Sequence, residues 1–275
     1  MRKVLIYLTL SLLCFALLPV NHSVTAEQSS LDLPILMYHS ISATKQGVYF
    51  VSPETLESDL FYLEKRGYTF VTATKVKAYL EGRGDLPAKP ILLTFDDGHY
   101  DNLYYGYPIL RKHRAHAVLN VIGCFSEYSS THEKDQLEYS HLTWEEIAYL
   151  ARSGVFEIGS HTYRMHAYKP RFGIKRMKGE SAEEYRHALT EDLETLDRIL
   201  MDKCDVRPVA FAYPFGAYDS ESSEIVRERY DMIFTCYERI NRLKRGEIAT
   251  LSALRRINRD GTLTTRAFFD KHEIR

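Results

Sequence analysis

The sequence predicts an α/β fold built on a parallel sheet that closes, or nearly closes, on itself. Short apolar runs alternate with amphipathic helical stretches along most of the chain, which is the mark of repeated βα units. Two of the runs end in clusters of ionisable residues, Asp96-Asp97 and His161 to His166, where barrel folds carry their chemistry. The length of 275 residues and 45% hydrophobic content suit one large domain.

In chain order, Pro34 to Ile41 reads as a first core strand that ends in polar residues. Ser52 to Arg66 follows as a helix, with Pro53 at its start, Leu56, Leu60, Phe61 and Leu63 near helical spacing, and Gly67 as its stop. Tyr68 to Val71 is a short strand, Thr72 to Glu81 a helix, and the Gly/Pro-rich stretch Gly82 to Pro90 a connector. The apolar run Ile91 to Thr94 then leads into Phe95-Asp96-Asp97-Gly98. A helix through Tyr107 to Arg111 precedes a strand over Ala117 to Ile122. Thr143 with Glu146, and Ser181 with Glu184, have capping-box spacing and open two further helices. Between them, Val155 to Ile158 is strand-like. The second of the two helices shows a clear stripe through Tyr185, Leu189, Leu193, Leu196, Ile199 and Leu200. Strands over Val209 to Ala212 and Met232 to Thr235 flank a last helix near Glu221 to Arg229. Phe125 to His141 is polar, has no clear period, and reads as a solvated rim loop that could shape a groove.

Each ionisable cluster has two readings. Phe95 to Gly98 is either a catalytic strand end or a plain strand-to-turn corner with Gly98 at positive φ. His161 and His166 are five residues apart, so on a helix their rings would diverge by about 140°, and on a strand they would face opposite ways. Only a loop or bend lets them converge, and Gly159 and Pro170 bracket such a loop. One carboxylate with two imidazoles would make a three-ligand metal site with room for water.

With these motifs the chain resembles the polysaccharide deacetylases of carbohydrate esterase family 4. Thr94 to Gly98 matches that family's T-F-D-D-G motif, and His161 to His166 resembles its His-Ser/Thr-x-x-His motif with one residue more. The longer spacing and the Tyr38-His39 strand end resemble the branch acting on poly-β-1,6-N-acetylglucosamine. Ala212-Tyr213-Pro214-Phe215-Gly216 stands for the third motif, with Ala212 where that motif has Arg, and the late Leu-x-His motif is absent, His272 being the only histidine near the C-terminus.

The resemblance implies a distorted (β/α) barrel of fewer than eight strands. It implies Asp97, His161 and His166 as ligands of a divalent metal, with Zn²⁺ expected ahead of Co²⁺, Ni²⁺ or Fe²⁺. Asp96 becomes the general base and His39 the general acid; taken alone, His39 could equally be a satisfied histidine at a barrel rim. Phe215 is expected to offer its backbone N–H to the developing oxyanion, with Tyr213 and Pro214 also contacting substrate. The implied reaction is hydrolysis of N-acetyl groups, with peptidoglycan, chitin oligomers or acetylxylan as alternative substrates. A non-catalytic carbohydrate-binding module is the reading from another class.

Residues 1 to 26 read as a signal peptide or a membrane anchor, ahead of a catalytic domain over 27 to 275. Arg2 and Lys3 precede an apolar run from Val4 to Val20, and Val24-Thr25-Ala26 offers the small residues of a cleavage site. The expected location is therefore secreted or cell-surface, with membrane association possible through this segment. Cys14 lies inside the apolar run and reads as part of the signal; the remaining Cys124, Cys204 and Cys236 are odd in number and widely spaced, so buried free thiols are expected rather than a disulfide framework. A formal net charge of −1 gives no electrostatic case for nucleic acid. The expected partner is an acetylated polysaccharide, and the expected state a monomer. Twenty tyrosines suit sugar stacking as well as amphipathic rim packing.

Overall fold

A computed structural model describes residues 30–133 and 140–275. Its elements run β1 (Leu31–Leu33), β2 (Ile35–Tyr38), β3 (Ser40–Ile41), β4 (Phe50–Val51), α1 (Pro53–Lys65), β5 (Thr69–Phe70), α2 (Ala73–Leu80) and β6 (Pro90–Phe95). A π-helical turn over Asn102–Gly106 leads into α3 (Tyr107–Lys112), β7 (Ala117–Val121), α4 (Gly123–Thr131), α5 (Trp144–Arg152), β8 (Phe156–Ser160) and α6 (Ala182–Cys204). The chain ends with β9 (Phe211–Ala212), α7 (Ser220–Arg227), β10 (Ile233–Thr235), β11 (Asn241–Leu243), β12 (Leu254–Arg255), β13 (Ile257–Asn258) and α8 (Thr265–Lys271).

Helix starts follow the local chemistry read from the sequence. Ser52, Thr72, Thr143 and Ser181 all accept a backbone N–H at a helix N-terminus, and the last two complete capping boxes with Glu146 and Glu184. Phe125 to Thr131, expected in a loop, instead belongs to α4. Its sequence is a weak helix former, and tertiary contacts hold it: Trp144 donates its indole N–H to Glu127 at 2.6 Å and its backbone N–H to the Ser130 hydroxyl at 3.0 Å.

The main sheet is parallel throughout, in the order β12-β10-β9-β8-β7-β6-β2-β13, with β5 added beside β6. Its two ends, β12 and β13, are separated only by Arg256. Leu254 and Arg255 pair with β10, and Ile257 and Asn258 pair with β2, so one short stretch closes the barrel. The ring therefore has seven positions: β2, β6, β7, β8, β9, β10 and this split strand. Antiparallel β1 and β11 form a separate pair.

Side-chain alternation then decides what the barrel encloses. Ile35, Leu92, Val118, Ala210, Ala212, Phe234 and Leu254 form one buried cluster, while Leu36, Leu93, Leu119 and Ile158 belong to another that includes residues of the surrounding helices. Stepping two residues along each inward row leads to His39 after β2, Asp96 after β6, Asn120 in β7, His161 after β8, Cys236 after β10, and Arg256. The carboxyl ends of the strands thus deliver polar side chains to one mouth.

Cys124, Cys204 and Cys236 are free; Cys204 is buried, and the other two are partly exposed. Among the described residues no helix is long and apolar enough to cross a membrane. The segment expected to be a signal or anchor lies outside the described residues, as do residues 134–139 of the expected rim loop.

Candidate active site

The first cluster forms because β6 ends in a forced turn. Asp96 continues the strand inward, whereas Asp97 and Gly98 both take φ near +72°, which swings the second carboxylate out of line with the first. Phe215 also holds positive φ, at 56°, so two non-glycine residues in the left-handed region line one cavity, and Thr162, at 72°, takes the same conformation in the bend after His161. That cavity, of about 670 Å³, is lined by His39, Asp96, Asp97, His99, His161, His166, Tyr213 and Phe215, among others.

Asp97, His161 and His166 converge, with one donor atom from each lying within 4.8 Å of the others. His161 and His166 present Nε2 to Asp97 Oδ1 at 3.6 and 3.4 Å. The bend after Ser160 makes this possible despite the five-residue spacing. His161 Nδ1 is engaged by the Ala212 carbonyl at 2.8 Å, which leaves the Nε2 lone pair free to face the carboxylate. Burial lowers the pKa of His166 to about 4, with His161 adding to the effect, so its ring is neutral near pH 7. Two imidazoles beside a carboxylate fit a divalent cation, and His161 has the outer hydrogen bond that metal-binding histidines usually make.

His99, unremarked in the sequence, faces the other oxygen of Asp97, Nε2 to Oδ2 at 3.4 Å. Burial pushes Asp97 upward, but His99 and the neighbouring imidazoles outweigh it and hold the group well below the usual carboxylate range. His99 in turn packs on His141 at 4.9 Å, and His141 on Phe125 at 4.6 Å. Burial and His99 push His141 down to about 3.

Asp96 is buried and is not among the three converging donors. Arg256 grips it with two bonds, Nη1 to Oδ1 at 2.6 Å and Nη2 to Oδ2 at 2.8 Å, and Asn120 donates to Oδ1 at 2.7 Å. Burial would raise its pKa, but the Arg256 charge, then His161, bring it down to about 2. Ala212 stands where the family motif has Arg, and Arg256 supplies the guanidinium from the barrel-closing strand. Gly159 makes room for this arrangement, since a Cβ there would lie 2.1 Å from Asn120 Oδ1.

His39 lines the same cavity with its ring edge-on to Tyr49 at 4.7 Å, and its Nδ1 is buried without a hydrogen-bond partner. Its backbone is fixed by Asn102, whose side chain donates to the His39 carbonyl at 2.9 Å from the π-helical turn. Burial lowers the pKa of His39 more than Asp97 and Asp96 raise it. Phe215 lines the cavity, while Tyr213 is 2% exposed, its hydroxyl 3.4 Å from Ser223. Pro214 is buried and shapes the turn without lining the cavity. Cys236 reaches the wall 3.9 Å from Arg256.

A closed parallel barrel that gathers two carboxylates and several imidazoles at the carboxyl ends of its strands has its ionisable groups where barrel enzymes carry their chemistry. Comparison with known families gives the class: the polysaccharide deacetylase model matches residues 83–230, and the chain belongs to that family. It is 27% identical over 223 residues to poly-β-1,6-N-acetyl-D-glucosamine N-deacetylase of Escherichia coli K12, a match covering 73% of this chain and 33% of that protein. The chain thus aligns with about a third of that relative's length. Among solved structures, IcaB from Ammonifex degensii superimposes with a TM-score of 0.70 at 25% identity, covering 83% of this chain and 92% of the other. BC0361, a polysaccharide deacetylase from Bacillus cereus, gives 0.68 at 26% identity, over 88% and 69% respectively.

Proposed function

We propose that the protein hydrolyses N-acetyl groups of an extracellular polysaccharide, poly-β-1,6-N-acetyl-D-glucosamine, with a divalent metal, Zn²⁺ first, held by Asp97, His161 and His166. One observation carries the reading: the three-donor cluster sits beside a second carboxylate that is clamped and kept ionised by Arg256. A divalent ion there would supply Lewis acidity to the acetamide carbonyl and lower the pKa of a nearby water.

Asp96 accepts the proton of the attacking water. Its carboxylate is ionised across the neutral range, and Arg256 and Asn120 fix its orientation. Phe215 offers its backbone N–H to the carbonyl oxygen as charge develops there. His39 gives a proton to the nitrogen as the C–N bond breaks, releasing acetate and a glucosamine residue; because burial lowers its pKa, the ring must first take up that proton within the reaction cycle. The assignment is supported by the place of the His39 ring in the wall of the same cavity as Asp96 and Asp97.

The substrate is supported by the E. coli relative's name and by the spacing of the two histidines. Export in a monomeric form, with residues 1 to 26 as signal or anchor ahead of a domain over 27 to 275, fits a polymer outside the cell. The test is acetate release from a panel of acetylated glycans, with bound metal quantified in the same preparation. Release from the β-1,6-linked polymer is expected. Preference for peptidoglycan, chitin oligomers or acetylxylan would move the substrate and keep the chemistry, and no release from any glycan would leave a binding module.

A further inference from the structure

We infer that Tyr168, Phe172 and the side chain of Phe215 form a sugar-stacking platform, a subsite for the glycan residue next to the one being deacetylated. The inference rests on the polysaccharide reading above and names how the polymer is held. The three rings lie nearly parallel: Phe172 and Phe215 at 6°, Tyr168 and Phe172 at 20°, and Tyr168 and Phe215 at 24°, with centroids 4.3 to 5.8 Å apart. All three line the active-site cavity, and Phe215 also packs on the proposed ligand His166 at 4.3 Å.

These rings are not spent on the core. Tyr168 is 69% exposed and Phe172 43%, a poor use of aromatic area unless something covers them. Isolated exposed aromatics mean little, but a stack of three rings continuous with a catalytic cavity holds the outer surfaces of Tyr168 and Phe172 as an apolar face with an orientation. The flat C–H face of a β-linked pyranose matches it, and the sugar's hydroxyls stay in water around the rim.

The platform is also held in place before any ligand arrives. Gly173 N–H bonds to the Ala167 carbonyl at 2.9 Å, closing the loop that carries Tyr168 and Phe172. A Cβ at Gly173 would meet the Pro214 carbonyl oxygen at 3.0 Å, so the loop lies directly against the turn that bears Phe215. Little ordering is left for binding to do, which favours affinity. Because Phe215 separates Tyr168 and Phe172 from His166, a sugar on those outer rings lies beside the one whose acetamide reaches the three donors. The benefit therefore falls on oligomers more than on a single sugar.

The test is calorimetry of a β-1,6-linked N-acetylglucosamine pentamer, and of N-acetylglucosamine alone, on the zinc-loaded Asp96→Asn chain. Tyr168→Ala and Phe172→Ala in that background should each weaken the pentamer by about tenfold and collapse the ratio of pentamer to single-sugar affinity. Tyr168→Trp should restore it, and Tyr104→Ala, at an exposed tyrosine outside the cavity, should leave it alone. Steady-state kinetics without the Asp96 change give an independent reading, with KM for the pentamer rising in step. Pentamer affinity and KM within twofold of the parent in both truncations would overturn the platform and assign the patch to some other occupant. Failure of the deacetylase reading looks different: the unsubstituted chain would release no acetate from any glycan.

Discussion

Replacing Arg256 by Met removes the guanidinium from Asp96 while keeping the length and apolar bulk of the side chain. In the parent, the Asp96 pKa of about 2 lies nearly two units below the ordinary value of 3.8, equivalent to about 2 kcal/mol in favour of the ionised folded form. A folded-state pKa below the unfolded one adds stability that is complete above about pH 4 and lost as pH falls through 2. Without Arg256, burial is opposed only by the Asn120 bond and the surrounding imidazoles, so the pKa should rise above 3.8 and the sign should reverse. The variant is then least stable relative to the parent near neutrality, by about 3–5 kcal/mol for a buried charge stripped of its partner. That gap should narrow as pH falls through the raised pKa. Thermal unfolding from pH 4 to 8, with kcat/KM measured on the same samples at constant metal occupancy, reads both effects. The parent should show no acid limb from Asp96 above pH 4, whereas the variant should gain one and lose at least about tenfold in kcat/KM at pH 7. A melting-temperature gap that does not vary with pH, together with an unshifted rate profile, would refute the argument.

Asp96→Asn should retain stoichiometric metal and lose about 10²–10⁴-fold in kcat, as expected for removal of a general base; turnover within tenfold of the parent would give that role to another group. His166→Ala should instead leave dialysed protein depleted of metal by elemental analysis, and full occupancy would remove His166 from the ligand set. Gly159→Ala should displace Asn120 from Asp96, because the new methyl would lie 2.1 Å from its Oδ1; a fall in kcat of about tenfold or more is expected, and an unchanged rate would show that the Asn120 bond does not position the base. Asp59→Asn tests the scaffold away from the chemistry. Asp59 is fully buried and meets Arg259 at 2.7 and 3.1 Å, Tyr38 at 3.0 Å and Thr265 at 2.6 Å, so a loss of about 3–5 kcal/mol is expected in denaturant unfolding. A change below about 1 kcal/mol would mean the neutral amide satisfies the same partners.

How legible the molecule is from its sequence depends on whether a segment's local pattern and its tertiary role agree. They agree at β6, where an apolar run ends in Asp96-Asp97-Gly98, and at the helix starts capped by Ser52, Thr72, Thr143 and Ser181. They disagree at the barrel closure. Leu254-Arg255-Arg256-Ile257-Asn258 looks like a charged turn, because the inward members beyond Leu254 face the site and are therefore polar. The usual strand signal, alternation of apolar with polar residues, is inverted wherever a strand's inner face is a binding surface instead of a core. The missing motif Arg at Ala212 was the one available hint that a guanidinium had to arrive from elsewhere, but sequence offers no way to choose among the arginines. Geometry chooses Arg256, because the residue that joins β12 to β13 enters the barrel level with Asp96. A single side chain thus links closing the fold to fixing the proposed base. Lengthening the closing strand by one residue would shift its inward row by one position and turn the guanidinium out of the site, even if the barrel still closed.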